Sequence, residues 1–148
     1  MAEPIMVFKV YANAEDCTNM SCPYGGVSFI PFTATVESAL FTGKTVPGAC
    51  DVQVENPAGS RNMCAKYMFK GEDSAGNSCF LFVENNGYLA EVMRNDPFFH
   101  AYPAFMTDSP VLGEYLSQQR FRSEVQWREW GVEIRVYDVL QEKEADRT

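Results

Sequence analysis

The side chains of this chain that could do chemistry sit mostly in alternating runs rich in phenylalanine. In SCFLFVENNG, residues 78–87, alternation puts Glu84 and Asn86 on the same face as Phe80 and Phe82. In AKYMF, Tyr67 shares a face with Ala65 and Phe69. In DVQVEN, Asp51, Gln53 and Glu55 lie opposite Val52 and Val54. A carboxylate held among aromatic rings loses hydration, which raises its pKa and suits it to general acid–base work near neutral pH. Glu84 and Asp51 are the candidates for that work, with Tyr67 as a third polar group. His100 is the only histidine, hence the only side chain whose unperturbed pKa lies near neutrality, and it falls in the aromatic segment FFHAYP. Phe69, Phe80, Phe82, Asn86, Tyr102 and Phe105 are the side chains expected to line a ligand space.

Each candidate has a plainer reading. Asp51 follows Pro47-Gly48 closely and could cap a turn. Asn86 before Gly87 is a common turn former, Tyr67 could be a core aromatic with a satisfied hydroxyl, and a lone loop histidine is more often idle. Glu84 could be a structural carboxylate, although an unpaired buried one is costly. Glu133 and Arg135 alternate with Val132, Ile134 and Val136 and read as a solvated face.

Other chemistries lack support. The five cysteines, Cys17, Cys22, Cys50, Cys64 and Cys79, form no C-x-x-C pair and are odd in number, as expected of thiols in a reducing compartment. With one histidine and no paired ligands, no metal site and no cofactor is expected. Phosphate loops, nucleophile elbows and H-E-x-x-H motifs do not occur. The net charge of −8, from 12 basic and 20 acidic residues, argues against nucleic acid and against an anionic membrane surface. The acidic start Met-Ala-Glu-Pro does not look like a leader, and no apolar run is long enough to span a bilayer, so a cytoplasmic location is expected.

The elements that must position these residues read as strands. With 46% apolar residues among 148, the chain can bury a single core without staples. PIMVFKVY (4–11) and GVSFIPFTATV (26–36) are strand-like, and Pro31 marks an edge, bulge or bend in the second. The polar stretch NAEDCTNMSCPYGG between them is expected as a loop. From residue 39 short strands alternate with turn signals at Val46-Pro47-Gly48, Asn56-Pro57-Ala58-Gly59 and Glu72–Asn77, with a tight hairpin expected at Asn85-Asn86-Gly87. Residues 94–110 look too proline-broken for a long strand and are expected to fold over a barrel mouth. Ser109-Pro110 starts one short helix with Leu112, Tyr115 and Leu116 on one face. RFRSEVQWREW and GVEIRVYDVL close the fold. The expected architecture is mainly β, an antiparallel barrel with one short helix, spanning 1–140 as a single domain with 141–148 as a charged, fraying tail.

FTATVES, ALFTGKTVPG, ACD, AKYMFKGEDSAGNSCFLFVENNG, PAFMTDSPVL and GVEIRVYDVL, in that order over about residues 26–139, resemble the domain of unknown function 3237, also called uncharacterised protein family 0311. The family's aspartate after a Pro-Gly turn matches Asp51, and its Asn-x-Gly-like hairpin matches Asn85-Asn86-Gly87. Where the family usually has Pro-Gly-Gly, this chain has Pro47-Gly48-Ala49. The resemblance implies a calycin-type or lipocalin-like β-barrel and no particular reaction. The residues themselves point to a barrel around a small hydrophobic or aromatic molecule. Three readings follow: a cofactor-independent enzyme doing isomerisation, cyclisation or elimination, a non-catalytic carrier or sensor, and a packed barrel acting only through its surface, which predicts no internal cavity. An exposed edge near Pro31 would make a homodimer unsurprising.

Overall fold

A computed structural model describes residues 2–89 and 99–147, the side chains of Phe99 and His100 excepted. Among the described residues ten strands run in chain order: β1 (Met6–Ala12), β2 (Thr18–Cys22), β3 (Gly25–Glu37), β4 (Phe41–Thr45), β5 (Cys50–Glu55), β6 (Arg61–Asp73), β7 (Ser78–Leu89), β8 (Phe99–Thr107), β9 (Phe121–Arg128) and β10 (Gly131–Asp138). Every pairing is antiparallel. β1 pairs with both β10 and β3, so the sheet closes on itself. β5 and β4 occupy successive halves of one position between β3 and β6, and β2 is an added strand beside the first half of β3. The result is a closed antiparallel eight-stranded barrel, as expected.

Pro31 sits where β3 changes partners. On one side β2 pairs with residues 25–29 and β1 with residues 32–36, so the missing N–H of Pro31 falls in the gap between two ladders. The bend expected there is a barrel corner. Gly48, Gly59 and Gly76 all have positive φ, in agreement with the three turns expected around them.

One half of the barrel is filled. Met6, Phe8, Val36, Phe69, Leu81, Val83, Phe105, Phe121 and Val136 are buried at alternate positions of their strands, each worth roughly 1.5–3 kcal/mol of apolar burial. Phe8 and Phe69 pack with ring centroids 5.0 Å apart. Helix α1 (Gly113–Leu116) closes this end, Leu112 and Leu116 joining the core; its N-cap is Leu112 rather than the expected Ser109, whose hydroxyl accepts from the Val111 and Leu112 amides in the turn leading into the helix.

Four expectations need correction. Residues 99–107 are a wall strand, not a cover: among the described residues of β8, β9 pairs with Phe99–Ala101, so Pro103 has a ladder on one side alone and is tolerated there. Residues 94–98 lie outside the described residues. Asn85-Asn86-Gly87 is no hairpin turn, because β6 pairs with β7 without a break as far as Arg61 opposite Leu89. The stretch expected as a loop after β1 holds a short 3-10 turn, Ala14–Asp16, and then β2. The tail expected to fray is largely helical: α2 (Val139–Asp146) starts from Asp138, whose carboxylate accepts from the Leu140 amide at 2.9 Å, and Arg122 holds Glu142 from β9 at 2.8 Å. The last barrel strand, β10, ends at Asp138.

Candidate functional site

The other half of the barrel is hollow. Val10, Ala12, Ile30, Phe32, Met63, Ala65, Leu89, Val125, Trp127, Val132 and Ile134 surround a cavity of about 640 Å³, and Ser28, Asp51, Gln53, Arg61 and Asn85 supply its polar surface. These are the inward positions of their strands, one or two steps beyond the packed core. On β6, for example, Arg61, Met63 and Ala65 line the cavity while Tyr67 and Phe69 belong to the core.

Strand register sets the polar groups in a pattern. Asp51 on β5 lies opposite Ala65 on β6, which lies opposite Asn85 on β7. The three form one row across adjacent strands, with only a methyl group between the carboxylate and the amide. Tyr67, two residues on from Ala65, lies beneath that row.

Asp51 is the anchor of a hydrogen-bonded chain that runs along the wall. Gln53 donates from Nε2 to Asp51 Oδ2 at 2.9 Å, and Arg61 donates from Nη1 to Gln53 Oε1 at 3.2 Å and from Nη2 to Glu55 Oε2 at 2.8 Å. Arg61 therefore fixes which end of the Gln53 amide faces Asp51. The other carboxylate oxygen, Oδ1, is buried without a hydrogen-bond partner, and so is the Tyr67 hydroxyl. Burial pushes the Asp51 pKa above its ordinary value, and the Gln53 hydrogen bond offsets part of that. Burial, and then the nearby charge of Asp51, pushes the Tyr67 phenol far above its ordinary range, so it stays protonated.

Asn85 is 7% exposed. The Ser123 hydroxyl donates to Asn85 Oδ1 at 3.2 Å and also lies 3.4 Å from the Ala101 carbonyl. With its oxygen held by Ser123, the amide has its nitrogen left for the cavity. The arrangement can accept a proton at Asp51 and donate an N–H to a neighbouring oxygen from Asn85. Among the described residues, no three His, Cys, Asp or Glu side chains converge as metal ligands.

The structure brings Asp51 to the cavity and puts Tyr67 beneath it, and Asp51 caps no turn. It does not bring Glu84 there. Glu84, Asn86, Phe80 and Phe82 do share a face, but it is the outer face of β7, because Leu81, Val83 and Asn85 point inward. Glu84 pairs with Lys66 at 3.4 Å on the outer wall, and Lys70 lies 6.0 Å from the Phe80 ring centre. Tyr102 is exposed, whereas Phe69 and Phe105 belong to the packed half, Phe105 against Phe121. His100 lies opposite Glu124 along β8 and β9, and its side chain is outside the described residues. Glu133 is held by Arg128 and Arg135 at 2.9 and 3.0 Å on the outer face of β10, its side chain largely covered by them rather than solvated as expected. Sequence reading missed Asn85, Gln53 and Arg61 as site residues. The step of two along Leu81, Val83, Asn85 was the signal for the first, and the shared face with Asp51 for the second.

Fold and cavity together define a closed antiparallel β-barrel, packed at one end and hollow at the other. The resemblance seen in the sequence has a counterpart among curated proteins: the chain is 32% identical over 83 residues to a UPF0311 protein of Clostridium acetobutylicum, a match that covers 47% of this chain and 50% of that one. The chain thus spans about half the length of the curated relative it matches. No family model matches. A solved structure from Clostridium acetobutylicum, described as of unknown function, superposes with a TM-score of 0.72 at 22% identity, over 90% of this chain and 93% of that one. A Rhodopseudomonas palustris protein, also described as of unknown function, gives 0.70 at 25% identity over 90% and 93%. A protein from Acinetobacter baumannii described as β-barrel like gives 0.70 at 22% identity over 91% and 92%. These likenesses bear on the fold.

Proposed function

We propose that the hollow half of the barrel binds a small hydrophobic or aromatic molecule and that Asp51 performs cofactor-independent acid–base chemistry on it, of the kind used in isomerisation, cyclisation or elimination. The observation that carries this reading is a cavity-lining carboxylate with one buried oxygen unpartnered, in an otherwise largely apolar space. A volume of about 640 Å³ lies within the range of roughly 300–1,000 Å³ usual for small-molecule sites. A group placed only for stability would be paired, since an unpaired buried carboxylate costs free energy. Desolvation raises the proton affinity of Asp51 and makes it a stronger base than an exposed aspartate. Tyr67 supports the site from below, and Arg61 sets the Gln53 amide that orients the carboxylate.

A non-catalytic carrier or sensor is the second reading, favoured by the predominance of aliphatic side chains on the wall. The unpaired state of all five cysteines accords with a reducing, cytoplasmic setting, and the charge of −8 with a small-molecule rather than nucleic-acid partner. Native mass spectrometry of protein purified gently from its own host tests the binding reading. We expect a co-purifying small molecule that disappears in Ala65→Leu, a variant that fills the space between Asp51 and Asn85. Repeated recovery of empty protein that also takes up no apolar probe would refute it. Turnover of the recovered compound by the parent but not by Asp51→Asn separates enzyme from carrier.

A further inference from the structure

The row Asp51, Ala65, Asn85 specifies more than an apolar ligand. Two strand spacings, roughly 10 Å, separate the outer members, and the alanine methyl between them leaves the gap open. Ionised Asp51 can only accept, and Gln53 occupies one side of it. Asn85, with its oxygen held by Ser123, offers N–H. A hydrocarbon would leave both unpaired in a desolvated space, which is costly. A carboxylate would suit Asn85 but repel Asp51, and an ammonium would have nothing to accept from Asn85. Among the described residues Arg61 is the one cation lining the cavity, and it is already held by Glu55 and Gln53.

We infer that the substrate is an uncharged, enolisable carbonyl compound whose oxygen lies over Ala65 against the Asn85 amide, with an adjacent acidic C–H against Asp51. This rests on the binding reading above and adds the substrate class and a second catalytic residue. Asp51 takes the proton from the carbon next to the carbonyl. The C–H electron pair becomes a C=C bond, and the carbonyl pair moves onto oxygen, where the Asn85 N–H holds the developing charge. Asp51 returns the proton to the α-carbon or, where a β,γ C=C extends the enolate, to the γ-carbon, so the base is regenerated and nothing is oxidised or reduced. Passing the proton from Asp51 to the carbonyl oxygen instead gives the enol, which donates to Asp51 and accepts from Asn85, so the site holds it better than the ketone.

Three probes that share one apolar body test this: 2-naphthol as a stable enol mimic, naphthalene and 2-naphthoate, titrated by calorimetry or fluorescence. Alongside them, deuterium incorporation next to the carbonyl of 2-tetralone in D2O is followed by NMR. We expect 2-naphthol to bind at least tenfold tighter than either congener, this preference over naphthalene to fall below threefold in Asn85→Leu, and discrimination against naphthoate to shrink in the isosteric Asp51→Asn. Exchange into 2-tetralone should exceed the buffer rate and be lost in Asp51→Asn. Equal binding of naphthol and naphthalene, or tightest binding of naphthoate, overturns the inference while leaving a ligand-binding barrel. Exchange no faster than buffer overturns it whatever the naphthols do. Failure of all three probes to bind overturns it together with the binding reading.

Discussion

Asp51 holds its charge at a cost in folding free energy, and that cost has a definite pH signature. Its folded pKa lies above the unfolded value of 3.8, so between the two the native state binds more protons than the unfolded one, and stability falls as pH rises through that window. Asp51→Asn removes the slope. Thermal denaturation from pH 3 to pH 8 should show the variant's advantage in Tm growing above about pH 4 and then levelling, while any turnover is lost. A variant less stable than the parent at pH 7 would mean that the carboxylate is satisfied in solution. Tyr67 makes a related case. Its hydroxyl is buried without a partner among Phe8, Phe32 and Phe69, so Tyr67→Phe should be neutral or stabilising by up to about 1 kcal/mol, as read by urea denaturation. A substantial loss would show that the phenol has a partner there.

At the scale of elements, the joints carry the sharpest demands. Gly43 on β4 faces Gly71 on β6, and a Cβ at Gly71 would sit 1.9 Å from the Thr42 carbonyl oxygen and 2.6 Å from the Gly43 Cα. Those are backbone atoms, so the strands must part. Gly71→Val should cost about 1–3 kcal/mol or more, seen as a lowered urea midpoint. Asp138 ties three elements together at the end of β10. It accepts from Arg120 at 3.1 Å, from the Tyr115 hydroxyl of α1 at 2.6 Å and from the first turn of α2, with its side chain fully buried. Asp138→Ala removes the shared acceptor of Arg120, Tyr115 and the first turn of α2 and should be destabilising, seen as a lowered urea midpoint. Burial alone would push the Asp138 pKa up, but Arg120 and Tyr115 outweigh it and hold the group below its ordinary value. The sign is opposite to that of Asp51: stability from Asp138 is complete above pH 3.8 and is lost as pH falls through the lower folded value. Hydrogen bonds from Ser109 and the Asn77 turn hold Asp73 low as well. The acid limb of the stability profile should therefore lie below pH 4 and retreat in Asp138→Ala.

For the whole molecule, closure is the decisive feature. β1 joins the ends of the sheet, pairing Met6–Val10 with Val132–Val136 and Phe8–Ala12 with Phe32–Val36. Removing residues 1–12 would leave β10 and the second half of β3 with unpaired edges and open the side of the cavity that Val10 and Ala12 line. Such edges template association. The truncated chain should elute as oligomers or aggregates in size-exclusion chromatography with light scattering, and a monomeric truncated protein would show that closure is dispensable. Slow folding is also expected of a barrel whose closing pairing joins residues far apart in the chain.

The sequence by itself determined the fold class, the positions of the turns at Gly48, Gly59 and Gly76, a short helix after Ser109-Pro110 and the pairing of Asp51 with Gln53 on one face. All of these are local: a turn needs its glycine, and alternation sorts neighbours two residues apart. Only the tertiary structure decided which face is inside. β7 carries large apolar side chains on both faces, Phe80 and Phe82 outward, Leu81 and Val83 inward, so alternation grouped Glu84 with the phenylalanines but could not say that this group faces out. A period of two yields two equivalent faces, and the choice between them is made by register against β6 and by closure through β1, which no local pattern encodes. For the same reason Asn85-Asn86-Gly87 read as a turn. The unbroken pairing with β6 kept it a strand, and the Ser123 hydroxyl, 38 residues away, gave Asn85 the partner that lets it point inward.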